Sequence, residues 1–162
     1  KIQSGEKAVE SYCKTLKNFS GLPHRMQKFY AHNGIEFYDD SKGTNVQATA
    51  MALTSFAKNV ILIAGGLDKG GDYGVLKGLI KAKVKMLILL GQAKDKLFEI
   101  FKDQTEVVRV QNMGEAVGIA LATAQSGDVV LLSPACASFD QYKNYAERGD
   151  HFQRLVLEKF HV

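Results

Sequence analysis

Leu131–Phe152 reads LLSPACASFDQYKNYAERGDHF. It opens as the end of an apolar strand and passes through small residues from Ser133 to Ser138. It closes in a polar, aromatic segment that carries Asp140, Lys143, Tyr145 and Arg148. A strand that empties through a small-residue turn into a helix leaves backbone N–H groups and hydroxyls at its carboxyl end. In open α/β sheets, ligands bind along that edge. Two further stretches have the same character, Asp40–Asn45 (DSKGTN) and Gly65–Gly71 (GGLDKGG).

Working outward, Val129–Leu132, Val60–Ala64 and Met86–Leu90 are continuous apolar runs, the pattern of strands covered on both faces. Glu106–Val110 is a shorter strand. Helical patterns separate them at Val46–Phe56, Tyr73–Ala82, Lys94–Phe101 and Met113–Ala124. Gln141–Phe160 is mostly helical, with an interruption expected near Gly149. Before them, Gln27–Ala31 and Ile35–Tyr38 flank His32-Asn33-Gly34, and Asn-Gly is the strongest short hairpin signal. Buried strands alternating with helices form right-handed βαβ units. The expected fold is therefore α/β: a Rossmann-like, doubly wound, mostly parallel sheet of five or six strands with an N-terminal hairpin. Lys1–Asn18 reads as an amphipathic helix with Ala8, Val9, Tyr12 and Leu16 on one face, broken at Phe19–Pro23. The boundary is placed there, with residues 1–20 closing a preceding domain and 21–162 forming the main one.

The 162 residues suffice for one full domain, and 46% hydrophobic with 23% charged residues is ordinary for a water-soluble chain. No apolar run approaches the ~20 residues that span a bilayer, so no membrane partner is expected. The net charge of +4 is carried mostly by scattered lysines, without a basic stripe interleaved with aromatics, so no nucleic-acid partner is expected either. Cys13, Cys136 and the four histidines have no metal-ligand spacing, and no metal site is expected within the chain. A buried, unpaired Cys136 fits a reducing cytoplasmic setting.

The dinucleotide fingerprint GxGxxG after a first strand is absent, and so is the phosphate loop GxxxxGK[ST]. Asp40–Asn45 joins a strand to a helix, where N–H groups and the helix dipole favour anions. Lys42 adds a charge and Thr44 a hydroxyl, and Asp40 can accept hydrogen bonds from a ribose. Taken alone, that motif is equally a plain helix cap, the blander and favoured reading. Gly65–Gly71 lets a ligand approach the backbone closely and presents Lys69, or is simply a loose turn. Ser133 and Ser138 can hold a carboxylate, with Tyr145 as a wall. Alternatively, Ala135, Cys136 and Ala137 are small because a strand and helix cross tightly, and Ser138 caps a helix starting near Gln141. Asp39 and Asp40 point to opposite faces and form no carboxylate pair.

Together Gly21–Arg25 (GLPHR), Asn33-Gly34, DSKGTN, Gly65–Lys69 and Leu131–Gly149 resemble, in order and spacing, the C-terminal domain of the Mur ligase family. They are most like its D-glutamate-adding branch, which builds peptidoglycan precursors. The resemblance implies an ATP-dependent, ADP-forming ligase acting on D-glutamate and UDP-N-acetylmuramoyl-L-alanine. In that family ATP phosphorylates the muramoyl-linked carboxyl, and the amine of D-glutamate attacks the acyl phosphate. It implies that Thr44, Lys69, Ser138 and Phe139 bind D-glutamate with Tyr145 against it. Arg25 and Asp40 would meet the adenosine of ATP, and Lys42 would lie near its phosphates. No catalytic residue is expected within this domain. Mg2+ and most ATP contacts would belong to a central domain which, with an N-terminal UDP-binding domain, packs against this one. A folylpolyglutamate-synthase-like domain is the neighbouring alternative, disfavoured by Ser133–Asp140. A non-catalytic Rossmann-like module binding an anion or a protein partner is the alternative from another class.

Overall fold

The computed structural model describes residues 21–161. The helix expected over Lys1–Asn18 and the boundary at residue 20 lie outside the described residues. The sheet has six strands: β1 (Gln27–His32), β2 (Ile35–Asp39), β3 (Val60–Gly65), β4 (Val84–Leu90), β5 (Glu106–Arg109) and β6 (Val129–Leu132), in the order β1-β2-β6-β3-β4-β5. β1 pairs antiparallel with β2, and every other pairing is parallel. The hairpin turns on Asn33 at φ 49° and Gly34 at φ 78°, the left-handed pair a tight hairpin demands. A Cβ on Gly34 would stand 2.3 Å from the Ser126 hydroxyl, so glycine is needed twice over.

Among the described residues five helices cover the sheet: α1 (Val46–Thr54), α2 (Lys77–Lys83, preceded by a 3-10 turn at Tyr73–Leu76), α3 (Lys94–Phe101), α4 (Met113–Thr123) and α5 (Tyr145–Lys159). Alternate residues of β3 go to opposite faces, as the pleat requires. Val60, Leu62 and Ala64 pack with residues of α1, α2 and α3. Ile61 and Ile63 pack with residues of α4 and α5. That is why all six residues of β3 are buried and why its sequence shows no polar alternation.

Three elements start differently from expectation, and other ends move by one or two residues. The helical pattern at Tyr73 begins as a 3-10 turn. The strand at Met86 starts two residues earlier, at Val84. The last helix starts at Tyr145 rather than Gln141, because Asn144 is its cap, with Oδ1 accepting from Glu147 N at 2.9 Å. Gly149 does not interrupt it. Gly149 is buried against His24 and Asp39, where a Cβ would lie 2.3 Å from His24 Nδ1.

The path of the chain matters most for function. It runs outward from β2 through β3 and β4 to β5, with α1, α2 and α3 on one face. It then returns across the other face by α4, and β6 enters between β2 and β3. The carboxyl ends of β2, β6 and β3 thereby lie side by side. Among the described residues no helix is long and apolar enough to cross a membrane.

Ile63 is fully buried at the centre of β3. Ile63→Ala is expected to lower unfolding free energy by about 2–5 kcal/mol. Urea denaturation of the chain checks this, and a near-neutral result would contradict its place in the packed core.

Candidate functional site

The loop after β6 runs between the loops after β2 and β3 and is bonded to both. On one side Ala135 N donates to Gly43 O at 3.0 Å, and Asp40 N donates to Leu132 O at 2.8 Å. On the other, Gly65 N donates to Pro134 O at 2.9 Å. Leu67 and Ala137 exchange N–H···O bonds of 2.9 and 3.2 Å. Gly66, at φ 135°, lies so close that a Cβ would reach 2.2 Å from Ala137 O. The small residues Ala135 to Ala137 therefore serve close packing of backbone.

Arg148 fastens the assembly from below, with 2% exposure. Its Nε donates to Ser41 Oγ at 2.9 Å, one terminal nitrogen to Ser41 O at 2.8 Å and the other to Cys136 O at 3.2 Å. Ser41 Oγ in turn donates to Tyr145 O at 2.7 Å, tying the start of α5 to the loop after β2. Burial lowers the guanidinium to about 10, so it remains charged at neutral pH. In the sequence Arg148 stood out only as one polar residue among several.

Two neighbouring hollows on this edge share Thr44, Asn45 and Gln47. The larger, of about 680 Å³, is lined by Arg25, Asp40, Lys42, Thr44, Met51 and Tyr145 among others. Lys42 Nζ lies 3.3 Å from the Tyr145 hydroxyl and 5.1 Å from its ring centroid. The smaller, of about 160 Å³, is lined by Thr44, Lys69, Asp72, Tyr73 and Ala135 among others. Thr44 and Lys69 are thus brought together, as are Arg25, Asp40 and Lys42. Tyr145 stands with Lys42 rather than with Lys69. Ser138 is buried in the loop after β6 and Phe139 beside it is 67% exposed, and neither lines these two hollows.

The carboxylate of Asp40 is 5% exposed and mostly engaged internally. It accepts from Ser133 Oγ at 2.7 Å and from Met26 N at 3.2 Å. Burial raises its carboxyl above the ordinary range, and these two bonds oppose the shift. Ser133, expected to be free for a ligand carboxylate, is fully buried with its hydroxyl given to Asp40. Ser138 is no helix cap: its carbonyl accepts from Gln141 N and Tyr142 N in a turn that ends before α5 begins. Cys136 is a free, fully buried thiol whose pKa is raised chiefly by burial.

Asp39 and Asp40 do turn apart. Asp39 is fully buried and faces the other way, toward His24 Nδ1 at 2.7 Å, Gln153 Nε2 at 2.6 Å and Ser41 N at 2.8 Å. His24 is held at φ 59°, and its carbonyl accepts from Lys42 N at 3.0 Å. The segment carrying Arg25 is thus anchored to the Lys42 loop. Sequence reasoning missed this pair, although an acidic doublet at a strand end was a visible sign that one carboxylate would turn inward.

A family model described as "Mur ligase, glutamate ligase domain" matches residues 24–136. A UDP-N-acetylmuramoylalanine--D-glutamate ligase of Geotalea uraniireducens (strain Rf4) is 47% identical over 141 residues, covering 87% of this chain and 31% of that protein. A protein of that name from Bdellovibrio bacteriovorus is 46% identical, covering 94% of this chain and 33% of that protein. This chain spans about a third of the length of the curated relatives it matches. Among solved structures, MurF ligase from Thermotoga maritima in complex with ADP superposes with a TM-score of 0.61 at 14% identity, covering 93% of this chain and 36% of that one. The bifunctional folylpolyglutamate synthase/dihydrofolate synthase of Yersinia pestis CO92 gives 0.58 at 16%, covering 90% and 32%. Likeness at such identities is a shared fold.

Arg148→Lys keeps the charge but cannot reach Ser41 and Cys136 together. It is expected to cost roughly 2 kcal/mol of stability, the scale of hydrogen bonds to a charged group. Chemical denaturation measures the loss, and a shift within error would mean that the guanidinium does not fasten the loops.

Proposed function

Because the chain belongs to the Mur ligase family through its glutamate ligase domain, we propose that it is the amino-acid-binding, C-terminal part of a longer ATP-dependent ligase that joins D-glutamate to UDP-N-acetylmuramoyl-L-alanine. That step belongs to peptidoglycan precursor synthesis, in a cytoplasmic setting. The observation that carries the reading is the meeting of two unlike hollows at Thr44. The D-glutamate ligases at 44–48% identity favour it over the folylpolyglutamate synthases, likenesses of fold at 16–18%.

The larger hollow suits a nucleotide. Met26, Ala48 and Met51 provide an apolar wall for a flat base, and the first turn of α1 lies beside it. In this reading Arg25 and Asp40 meet the adenosine, with Asp40 accepting from ribose, and Lys42 lies near the phosphates. ATP supplies the phosphoryl group that activates the accepting carboxyl. Mg2+ would be held by a central domain preceding this one, of which residues 1–20 are the end, and an N-terminal domain would carry the UDP moiety. The chain would pack against both.

The smaller hollow suits part of a dicarboxylate amino acid. Lys69 offers a charge and Thr44 a hydroxyl, the donors that make strong bonds to a carboxylate. Ser138 and Phe139 on the neighbouring loop, and Tyr145 beside Lys42, complete the proposed D-glutamate contacts. These residues bind and orient. The amine has to reach the activated carboxyl neutral and in line, so this domain's contribution is positioning rather than proton transfer.

Lys69→Ala in the full-length ligase is expected to raise the KM for D-glutamate by tenfold or more, since a charge-assisted hydrogen bond is worth roughly 1.5–3 kcal/mol and ~1.4 kcal/mol is tenfold. An unchanged KM rejects the role. The 162-residue chain alone is expected to release no ADP from Mg-ATP with both substrates present. Robust release would overturn the division of labour.

A further inference from the structure

Lys69 stands in a loop that should be poorly ordered. Gly65, Gly66, Gly70 and Gly71 surround it, and glycine is the residue with most conformational freedom to lose. An ammonium on such a loop would bind a small anion weakly, because the loop would have to be ordered at the same time.

The loop is nevertheless tied down on each side of Lys69. Before it, Leu67 is bonded in both directions to Ala137. Asp68 Oδ1 accepts from Gly70 N at 2.8 Å, which closes a turn over Lys69. The same oxygen accepts from the Tyr73 hydroxyl at 2.8 Å, and Oδ2 accepts from Lys96 Nζ at 2.7 Å. Tyr73 is 2% exposed, and its hydroxyl also lies 3.2 Å from Cys136 Sγ in the loop after β6. Lys96, on α3, sits 5.4 Å from the Tyr73 ring centroid. Lys69, between these fixed neighbours, makes no side-chain hydrogen bond or ion pair among the described residues.

We propose that Asp68, held by Tyr73 and Lys96, is a positioning residue that presents Lys69 to the carboxylate of the incoming amino acid. This rests on the ligase reading given above. The pairing settles charge as well as shape. An uncompensated carboxylate next to Lys69 would repel a dicarboxylate, and Lys96 cancels it. The bond from Lys96, followed by those from Gly70 and Tyr73, holds the Asp68 carboxyl at about 2. A carboxyl lowered in this way is fully charged above its ordinary range and neutralised only as pH falls through about 2. The brace therefore stays intact throughout the working range of an enzyme.

The test uses the full-length ligase with Asp68→Ala, Asp68→Asn and Tyr73→Phe. Asp68→Ala is expected to raise the KM for D-glutamate by about tenfold while those for ATP and the UDP-linked substrate stay within about twofold. Asp68→Asn keeps an acceptor for Gly70 and Tyr73 and should recover most of the loss. Tyr73→Phe should show a smaller rise of the same kind. Hydrogen exchange supplies a readout that does not depend on turnover, with faster exchange at Gly70 in Asp68→Ala than in wild type. A D-glutamate KM within about twofold of wild type, or a parallel rise for all three substrates, overturns the proposal. So does unchanged exchange at Gly70. If the wild-type enzyme consumes no D-glutamate, the ligase reading has failed, and the exchange result then decides whether Asp68 braces the loop at all.

Discussion

A guanidinium taken out of water needs an oxygen acceptor at each of its nitrogens, or the burial is costly. Arg148 meets this demand from two directions at once, Ser41 in the loop after β2 and Cys136 in the loop after β6. Among the described residues no carboxylate pairs with it, and the largest favourable charge at longer range is that of Asp140. The arrangement makes the two loops interdependent, since displacing either leaves a buried cation short of a partner. Around that centre run bonds from backbone to backbone, beside the side-chain bond from Ser133 to Asp40. They extend to the third loop through Gly65, Leu67 and Ala137. The site is therefore a single rigid edge, although its residues come from three separate connections.

On this edge the polar groups divide into two kinds. Asp39, Asp40, Ser41 and Ser133 are buried and bonded to one another, to the backbone and to His24, Gln153 and Arg148, and of the four Asp40 also borders the larger hollow. Arg25, Lys42 and Lys69 reach into the hollows. Buried members set geometry, and the reaching members carry charge toward anything bound. Thr44 lies on the border and, with Asn45 and Gln47, lines both hollows.

Much of the architecture was legible in the residue pattern, for reasons specific to each element. β3 reads VILIAG because both of its faces are covered, and Asn33-Gly34 marks a turn whose backbone only such residues tolerate cheaply. The three strand-end loops were recognisable as a set from their glycines, hydroxyls and small residues. What stayed hidden was the partnership between distant positions. Ser41 and Arg148 are 107 residues apart, and nothing local in either announces the other. Ser133 looked available because its neighbours are small, yet a carboxylate 93 residues earlier claims it. The start of α5 was misplaced because Asn144, not Ser138, supplies the acceptor that a helix needs in its first turn.

The late arrival of β6 between β2 and β3 bears on how the molecule is made. Until Val129–Leu132 is available, β2 and β3 have no bridge, and each leaves one side of its backbone unpaired beside exposed apolar side chains. During synthesis on the ribosome that interval covers most of the domain's length. The nascent chain then carries two adhesive edges of the kind that pair with other chains. Closure of the sheet by its last strand ends this vulnerability and, in the same event, joins the three loops into a site. The assembled edge and protection from self-association are thus acquired together, late and all at once.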